Sequence, residues 1–239
     1  MKRLFSLSPR LQAIADLVPA GARMADVGTD HGRLPVWLVQ QGQIPSAVAT
    51  DLRPGPLSRG KALADRWELS DRISFRLCDG LTAVSSEEAE VITITGMGGE
   101  TIAEILQAAP WVKEKGCTCI LQAMSGMEGL RRYLSENSFS IEREILVLEE
   151  ETLYVILLAK GGEMPPLSEG EIWVGRQQPT MKMPLRGRYL EQELGRLHWA
   201  AEGLSHSQRE EDKEKYVRFL QAAQEVEEMK KEWDQWQLC

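Results

Sequence analysis

The sequence predicts an α/β fold: a doubly wound, mostly parallel sheet that ends in an antiparallel hairpin, followed by an antiparallel helical hairpin of coiled-coil type. Three observations carry this. Short β-rich runs alternate with helical stretches from Ser8 to Lys160, two apolar runs are joined only by Glu149-Glu150-Glu151, and from Leu190 onward the apolar spacing changes to threes and fours.

The chain has 239 residues, 43% of them hydrophobic, enough for one sizeable core and a small appended module. An amphipathic helix comes first, about Pro9 to Val18, with proline at a helix start where its missing N–H costs nothing. Strands follow at Met24 to Val27, Ala47 to Thr50, Ile73 to Leu77 and Val91 to Thr95. Helices are expected from Gly32 to Gln41, about Gly55 to Trp67 and about Glu100 to Ala108. A strand at Cys117 to Gln122 and a helix from about Gly126 to Asn137 lead to the runs Glu144 to Leu148 and Thr152 to Ala159. A three-residue link cannot carry a parallel crossover, so these last two strands must pair antiparallel. By fold-level analogy, a doubly wound sheet ending in this way is a class I methyltransferase Rossmann-like sheet, whereas nicotinamide-binding domains are all parallel.

Gly161 to Gly170 is a loop by composition and divides the chain into residues 1–162, a cofactor-binding domain, and 163–239, a helical domain. In the latter, Leu190, Leu194, Leu197, Ala201 and Leu204 form one seam. After a turn at Gly203 to Ser207, Phe219, Ala223, Val226 and Trp233 form a second, interrupted by Lys230. Such a seam can close on itself or on a second chain.

Net charge is −8, which excludes a protein that coats nucleic acid nonspecifically. A local basic stretch is present at Arg176, Lys182, Arg186, Arg188 and Arg196, either a nucleic-acid patch or an ordinary solvated face. No apolar run is long enough to span a membrane, and Met1-Lys2-Arg3-Leu4-Phe5 leads into polar residues rather than a secretory core, so a cytoplasmic protein is expected. Cys78, Cys117, Cys119 and Cys239 lack metal spacing and read as structural thiols; no metal is expected.

The chemistry-bearing residues fall at strand ends, where open α/β sheets bind ligands. The first strand runs into Asp26-Val-Gly-Thr-Asp-His-Gly32, a degenerate nucleotide loop in which Gly28 permits the turn and Asp30 replaces a second glycine. Asp51 ends the second strand nineteen positions after Gly32, suited either to a ribose diol or to a turn before Pro54. Asp79-Gly80 ends the third and suits an adenine amino group; Asp26 faces a cationic part of the cofactor or holds loop N–H groups. Thr95-Gly-Met-Gly-Gly99 implies close approach to a ligand or a tight strand-to-helix turn. No Asp/Asn-Pro-Pro-aromatic sequence for an exocyclic amine follows the fourth strand, which turns attention to a ring nitrogen.

These residues resemble the bacterial tRNA (adenine-22 N1)-methyltransferases. The matching pieces are Leu7-Ser-Pro-Arg-Leu11, Ala25 to Gly32 with Leu34-Pro35, Gly55-Pro56, Asp79-Gly-Leu81, Ile94 to Gly99, Leu121-Gln122 and Leu130-Arg131. The family reads Leu-Gln-Pro-Asn where this chain has Leu121-Gln-Ala-Met124, which bears on the acceptor pocket. The resemblance implies S-adenosylmethionine as cofactor and tRNA as partner, with cofactor contacts at Arg10, Asp26, Gly28, Asp30, His31, Asp51, Asp79, Gly80, Gly96 and Met97. Because N1 lies on the pairing edge and the nucleotide must be unpaired or extruded, the helical domain has a use as a tRNA-binding arm, with Lys182, Arg186 and Arg188 of the basic stretch as substrate contacts. Attack by adenine N1 leaves the base positively charged, and Asp30 is the candidate catalytic carboxylate; its alternative role is capping the helix that starts near Gly32. Other functions compatible with the sequence are a non-catalytic cofactor-binding RNA chaperone or scaffold, and a methyltransferase for another RNA base.

Overall fold

A computed structural model describes residues 5–238. The expectations that fall on Met1-Lys2-Arg3-Leu4 and on Cys239 lie outside the described residues. The chain divides into two compact units, Met1–Met164 and Pro165–Cys239.

In the first unit the elements run α1 (Pro9–Leu17), β1 (Met24–Val27), α2 (Arg33–Gln40), β2 (Ala47–Asp51), α3 (Pro54–Arg66), β3 (Ile73–Leu77), β4 (Val91–Gly98), α4 (Gly99–Ala108), α5 (Trp111–Glu114), β5 (Thr118–Ser125), α6 (Met127–Glu136), β6 (Phe139–Glu149) and β7 (Thr152–Gly161). Among the described residues the strands form one seven-stranded sheet, ordered β3-β2-β1-β4-β5-β7-β6. Strands β1 to β5 pair in parallel, and β7 runs antiparallel between β5 and β6. The turn Glu150-Glu151 joins the hairpin, with Glu150 at φ 55°.

Every residue of β1 and β2 is buried, as interior parallel strands covered on both faces require. The core is aliphatic: Ile14, Met24, Leu38, Ile92, Ile94, Ile102, Leu106, Ile120 and Leu121 are each at or near zero exposure. Ser8 caps α1 by accepting from the Leu11 N–H, and Pro9 opens that helix. A buried ion pair ties α6 to β6, with Arg131 donating from Nε and Nη2 to Glu144 at 3.0 and 2.7 Å.

Several elements exceed their expected limits. Strand β4 continues to Gly98 and β5 to Ser125, because pairing resumes past an irregularity at Gly96 as Met97↔Ala123 and Gly98↔Ser125. Likewise β6 begins at Phe139, its ladder with β7 crossing an irregularity between Ile141 and Arg143. Helix α5 is too short to give a periodic signal.

The second unit holds α7 (Glu169–Val174), α8 (Arg186–Leu204) and α9 (Glu210–Trp236). Ser168 and Glu171 close a capping box on α7, inside the stretch expected to be loop and just beyond it. Leu190, Leu197 and Ala201 of α8 and Ala223, Val226 and Trp233 of α9 are buried, and Trp173 of α7 meets Phe219 edge-on at 5.8 Å. Helix α8 runs through Gly203, so the turn lies at residues 205–209. Lys230 is half-buried and donates to Asp234 at 2.8 Å.

Candidate functional site

A cleft of about 590 Å³ opens at the carboxyl end of the sheet, and all ten residues for which the resemblance implies cofactor contact line it. Asp26, in β1, is 4% exposed and accepts from the hydroxyls of Thr29 and Thr93, each at 2.6 Å. Burial pushes its carboxyl up to about 6; the two hydroxyls oppose the rise and neighbouring Asp51 adds to it.

The loop after β1 is tied down by backbone bonds, Thr29 N–H to Thr50 O and Gly32 N–H to Thr29 O, both 2.9 Å. Gly28 has φ 67°, and a Cβ there would run into Met97 Cε, so the Met97 side chain lies directly against the loop. Asp30 has φ 51°, a left-handed conformation that aspartate tolerates better than most residues. The residue that caps α2 is Gly32, and no side chain caps that helix, so the capping role left open for Asp30 is removed. The Asp30 carboxylate is instead 63% exposed, 3.5 Å from His31 Nε2 and 3.8 Å from Arg59 Nη2.

Asp51 is buried, with Oδ1 accepting from the Arg53 N–H at 2.9 Å and Oδ2 from the Asp30 N–H at 3.2 Å. The turn role is thus present, and since a carboxylate has about four acceptor sites, two remain beyond these bonds. Leu52 beside it is 67% exposed in the cleft wall, an apolar surface for a planar ring. Asp79 is exposed, and Gly80 is fixed by the Thr50 hydroxyl donating to its carbonyl at 2.9 Å.

At the other edge, Gln122 of β5 is fully buried. Its Oε1 accepts from Arg10 Nη1 at 2.5 Å and from the Gly96 N–H at 3.2 Å, while its Nε2 donates to the Ala123 carbonyl at 2.8 Å. Arg10 lies 5.1 Å from the Tyr154 ring centroid, and its Nε is buried without a partner in the protein. The glycines of Gly96-Met-Gly-Gly99 divide their work. Gly96 (φ 80°) makes the strand irregularity, whereas a Cβ at Gly99 would collide with the Gly126 carbonyl, so that glycine serves the packing of α4. Met124, where the resemblance expects asparagine, is 52% exposed in the cleft wall.

Thr29, Thr93, Leu52, Thr101 and Ile105 were not expected at the site, and Gln122 had no assigned role. A signal for Thr93 and Gln122 exists in the sequence: each is a polar residue inside a buried apolar strand, which must find partners.

The basic stretch divides. Arg186 is 1% exposed, its guanidinium donates to the Val174 and Gly175 carbonyls, and it lies 5.9 Å from the Tyr189 ring centroid. The expected tRNA contact at Arg186 is therefore corrected to a structural role, since a buried, engaged guanidinium cannot reach a phosphate. Lys182 and Arg188 are exposed. Cys117 and Cys119 are buried, and burial pushes the Cys119 thiol well up. Among the described residues no group of three or more His, Cys, Asp or Glu could hold a metal, and no helix is long and apolar enough to cross a membrane.

A sheet of this order and polarity, with acids at the ends of its first strands and a glycine-rich acceptor edge, defines a class I methyltransferase. In agreement, residues 7–157 match the family described as a methyltransferase domain. A tRNA (adenine(22)-N(1))-methyltransferase of Bacillus subtilis is 34% identical over 164 residues, 69% of each chain. The crystal structure of the B. subtilis M1A22 tRNA methyltransferase matches at a TM-score of 0.83 and 30% identity, covering 95% of this chain and 100% of that one. A Streptococcus pneumoniae protein solved in complex with S-adenosyl-L-methionine matches at a TM-score of 0.78 and 32% identity, covering 92% and 99%. The chain belongs to the family of bacterial tRNA (adenine-22 N1)-methyltransferases.

Proposed function

We propose that this chain methylates N1 of adenine 22 in tRNA, with S-adenosylmethionine as methyl donor. The observation that carries it is the convergence of Gly28, Thr29, Asp30 and His31 with Gly96 and Met97 on one cleft, where the Met97 side chain lies against Gly28 and Gln122 ties Gly96 to Arg10.

The residues present fit such a cofactor. The unpartnered, buried Nε of Arg10 suits a carboxylate, Asp26 a neighbouring ammonium, Asp51 a ribose diol, and Leu52 with Asp79 an adenine ring and its amino group. His31, Gly80, Gly96 and Met97 complete the wall. Bound there, the cofactor supplies an activated methyl group and its own leaving group, so no strong base is needed. The task of the protein is alignment and charge. Adenine N1 has a free lone pair at neutral pH, and the base gains positive charge as the bond forms. The exposed Asp30 carboxylate stabilises that charge, and His31 and Arg59 beside it hold its orientation. The N1 edge is used in base pairing, so adenine 22 must be unpaired or extruded. Lys182 and Arg188 are the tRNA contacts retained in the second unit, and the place of action is the cytoplasm, where tRNA is modified. The test is to incubate unmodified tRNA with the protein and labelled S-adenosylmethionine and to identify the nucleoside by mass spectrometry. 1-Methyladenosine is expected; another methylated base, or none in a single turnover, rejects the proposal.

A further inference from the structure

The exposed face of α8 is arranged around Trp199, which is 79% exposed. Helix geometry places Arg188, Gln192, Gly195, Arg196 and Gly203 on the same face, at spacings of three, four, seven and eleven residues, and all are exposed. Glycine stands four residues before the tryptophan and four after it, at the two positions whose side chains would cover the flanks of the indole. Glycine weakens a helix interior relative to alanine, so this arrangement carries a cost in stability. No internal contact accounts for it: a Cβ at Gly195 or Gly203 would meet nothing within 4 Å. Among the described residues Trp199 takes part in no ring pair or cation–π contact. The indole is thus left bare on both flanks at the expense of the helix.

The surroundings indicate what it meets. Arg196 is 55% exposed along its side chain and held by both carboxylate oxygens of the buried Glu193 at 3.0 Å, which fixes its position on the face. By the same spacing the exposed Glu202 flanks the indole on the side opposite Arg196, and Glu191 lies beside it at the edge of the stripe. A protein partner would favour an apolar surround for a central tryptophan, whereas here the surround is polar: two arginines, a glutamine, a glutamate and two glycines. An aromatic ring bare on its flanks with cations beside it suits a nucleobase and its phosphates. We propose that this face of α8 binds tRNA by stacking an unpaired base on Trp199 while Arg188 and Arg196 meet the adjoining phosphates. The proposal rests on the assignment of tRNA as substrate and names the surface that grips it.

The test uses the full chain and an unmodified tRNA transcript. Trp199→Ala is expected to weaken tRNA binding roughly five- to hundredfold, equivalent to ~1–3 kcal/mol, and Trp199→Phe to keep most of the affinity. The salt dependence of binding stays the same in Trp199→Ala, which removes no charge, and becomes shallower in Arg188→Gln. Gly195→Leu combined with Gly203→Leu raises the melting temperature while weakening tRNA binding, a pairing that a merely structural tryptophan cannot produce. Unchanged tRNA affinity in Trp199→Ala overturns the proposal, as does light scattering in which the parent is a dimer and Trp199→Ala a monomer. Methylation by the parent is read in parallel. If the parent forms 1-methyladenosine and Trp199→Ala binds tRNA equally well, the stacking face is rejected and the activity stands; if the parent neither binds nor methylates tRNA, both are rejected.

Discussion

Replacing Asp26 by asparagine separates what the carboxylate costs the fold from what it gives the site. Asp26 is 4% exposed, and its carboxyl titrates at about 6 rather than the ordinary 3.8 because burial outweighs the bonds from Thr29 and Thr93. The folded chain therefore holds this proton to higher pH than the unfolded chain does. Stability falls as pH rises from about 4 to about 6, and the full cost is present above that window. At roughly 1.4 kcal/mol per pH unit, the cost at neutral pH is about 3 kcal/mol. Asparagine carries no charge, and the Thr93 hydroxyl can turn to the Ala25 carbonyl, 3.4 Å away, when it accepts from the new amide. Asp26→Asn is thus expected to be more stable than the parent at pH 7.5 by about 1–3 kcal/mol, measured by urea unfolding. The gap is expected to close as the pH is lowered towards about 4. In the same variant calorimetry should give an affinity for S-adenosylmethionine at least roughly tenfold weaker, since a neutral amide does not balance an ammonium. A variant no more stable than the parent at pH 7.5, with cooperative unfolding intact, would refute the reasoning that burial governs this carboxyl.

Arg186→Glu should destabilise the second unit by about 3 kcal/mol or more in thermal melts, because it puts an anion against the Val174 and Gly175 carbonyls. Arg188→Glu, at an exposed position, should lower the melting temperature far less than Arg186→Glu does and weaken tRNA binding; the reverse pattern contradicts the burial of Arg186. Gly99→Ala drives a methyl group into the Gly126 carbonyl and should cost about 3 kcal/mol or abolish soluble expression, whereas a wild-type melting temperature would show that α4 can move aside. Asp30→Asn should lower kcat roughly 10²-fold with the dissociation constant of S-adenosylmethionine within about twofold; an unchanged kcat excludes Asp30 from catalysis.

The framework was legible where local chemistry dictates it. The three-residue link at Glu149 to Glu151 forces an antiparallel hairpin, and the hairpin distinguishes this sheet from an all-parallel nucleotide fold. The acids Asp26, Asp51 and Asp79 were readable because each falls at or near the carboxyl end of a short β-rich run. What escaped the sequence depends on contacts between distant residues. The Gln122 carboxamide joins Arg10 to Gly96 across three elements, and no local pattern encodes that partnership. Arg186 looked like part of a basic surface because charge is normally solvated, yet its carbonyl partners on the preceding segment bury it. The ends of β4 and β6 were missed for a related reason, since an irregular ladder breaks the alternation by which a strand is recognised.

The most direct test of adenine 22 as the target compares two unmodified tRNA transcripts, one with adenine at position 22 and one with guanine there. Each is incubated with the protein and S-adenosylmethionine and then read by reverse transcription, which a methyl group on N1 blocks. A stop at position 22 in the adenine transcript alone is expected; a stop elsewhere, or methylation of both transcripts, rejects adenine 22 as the target.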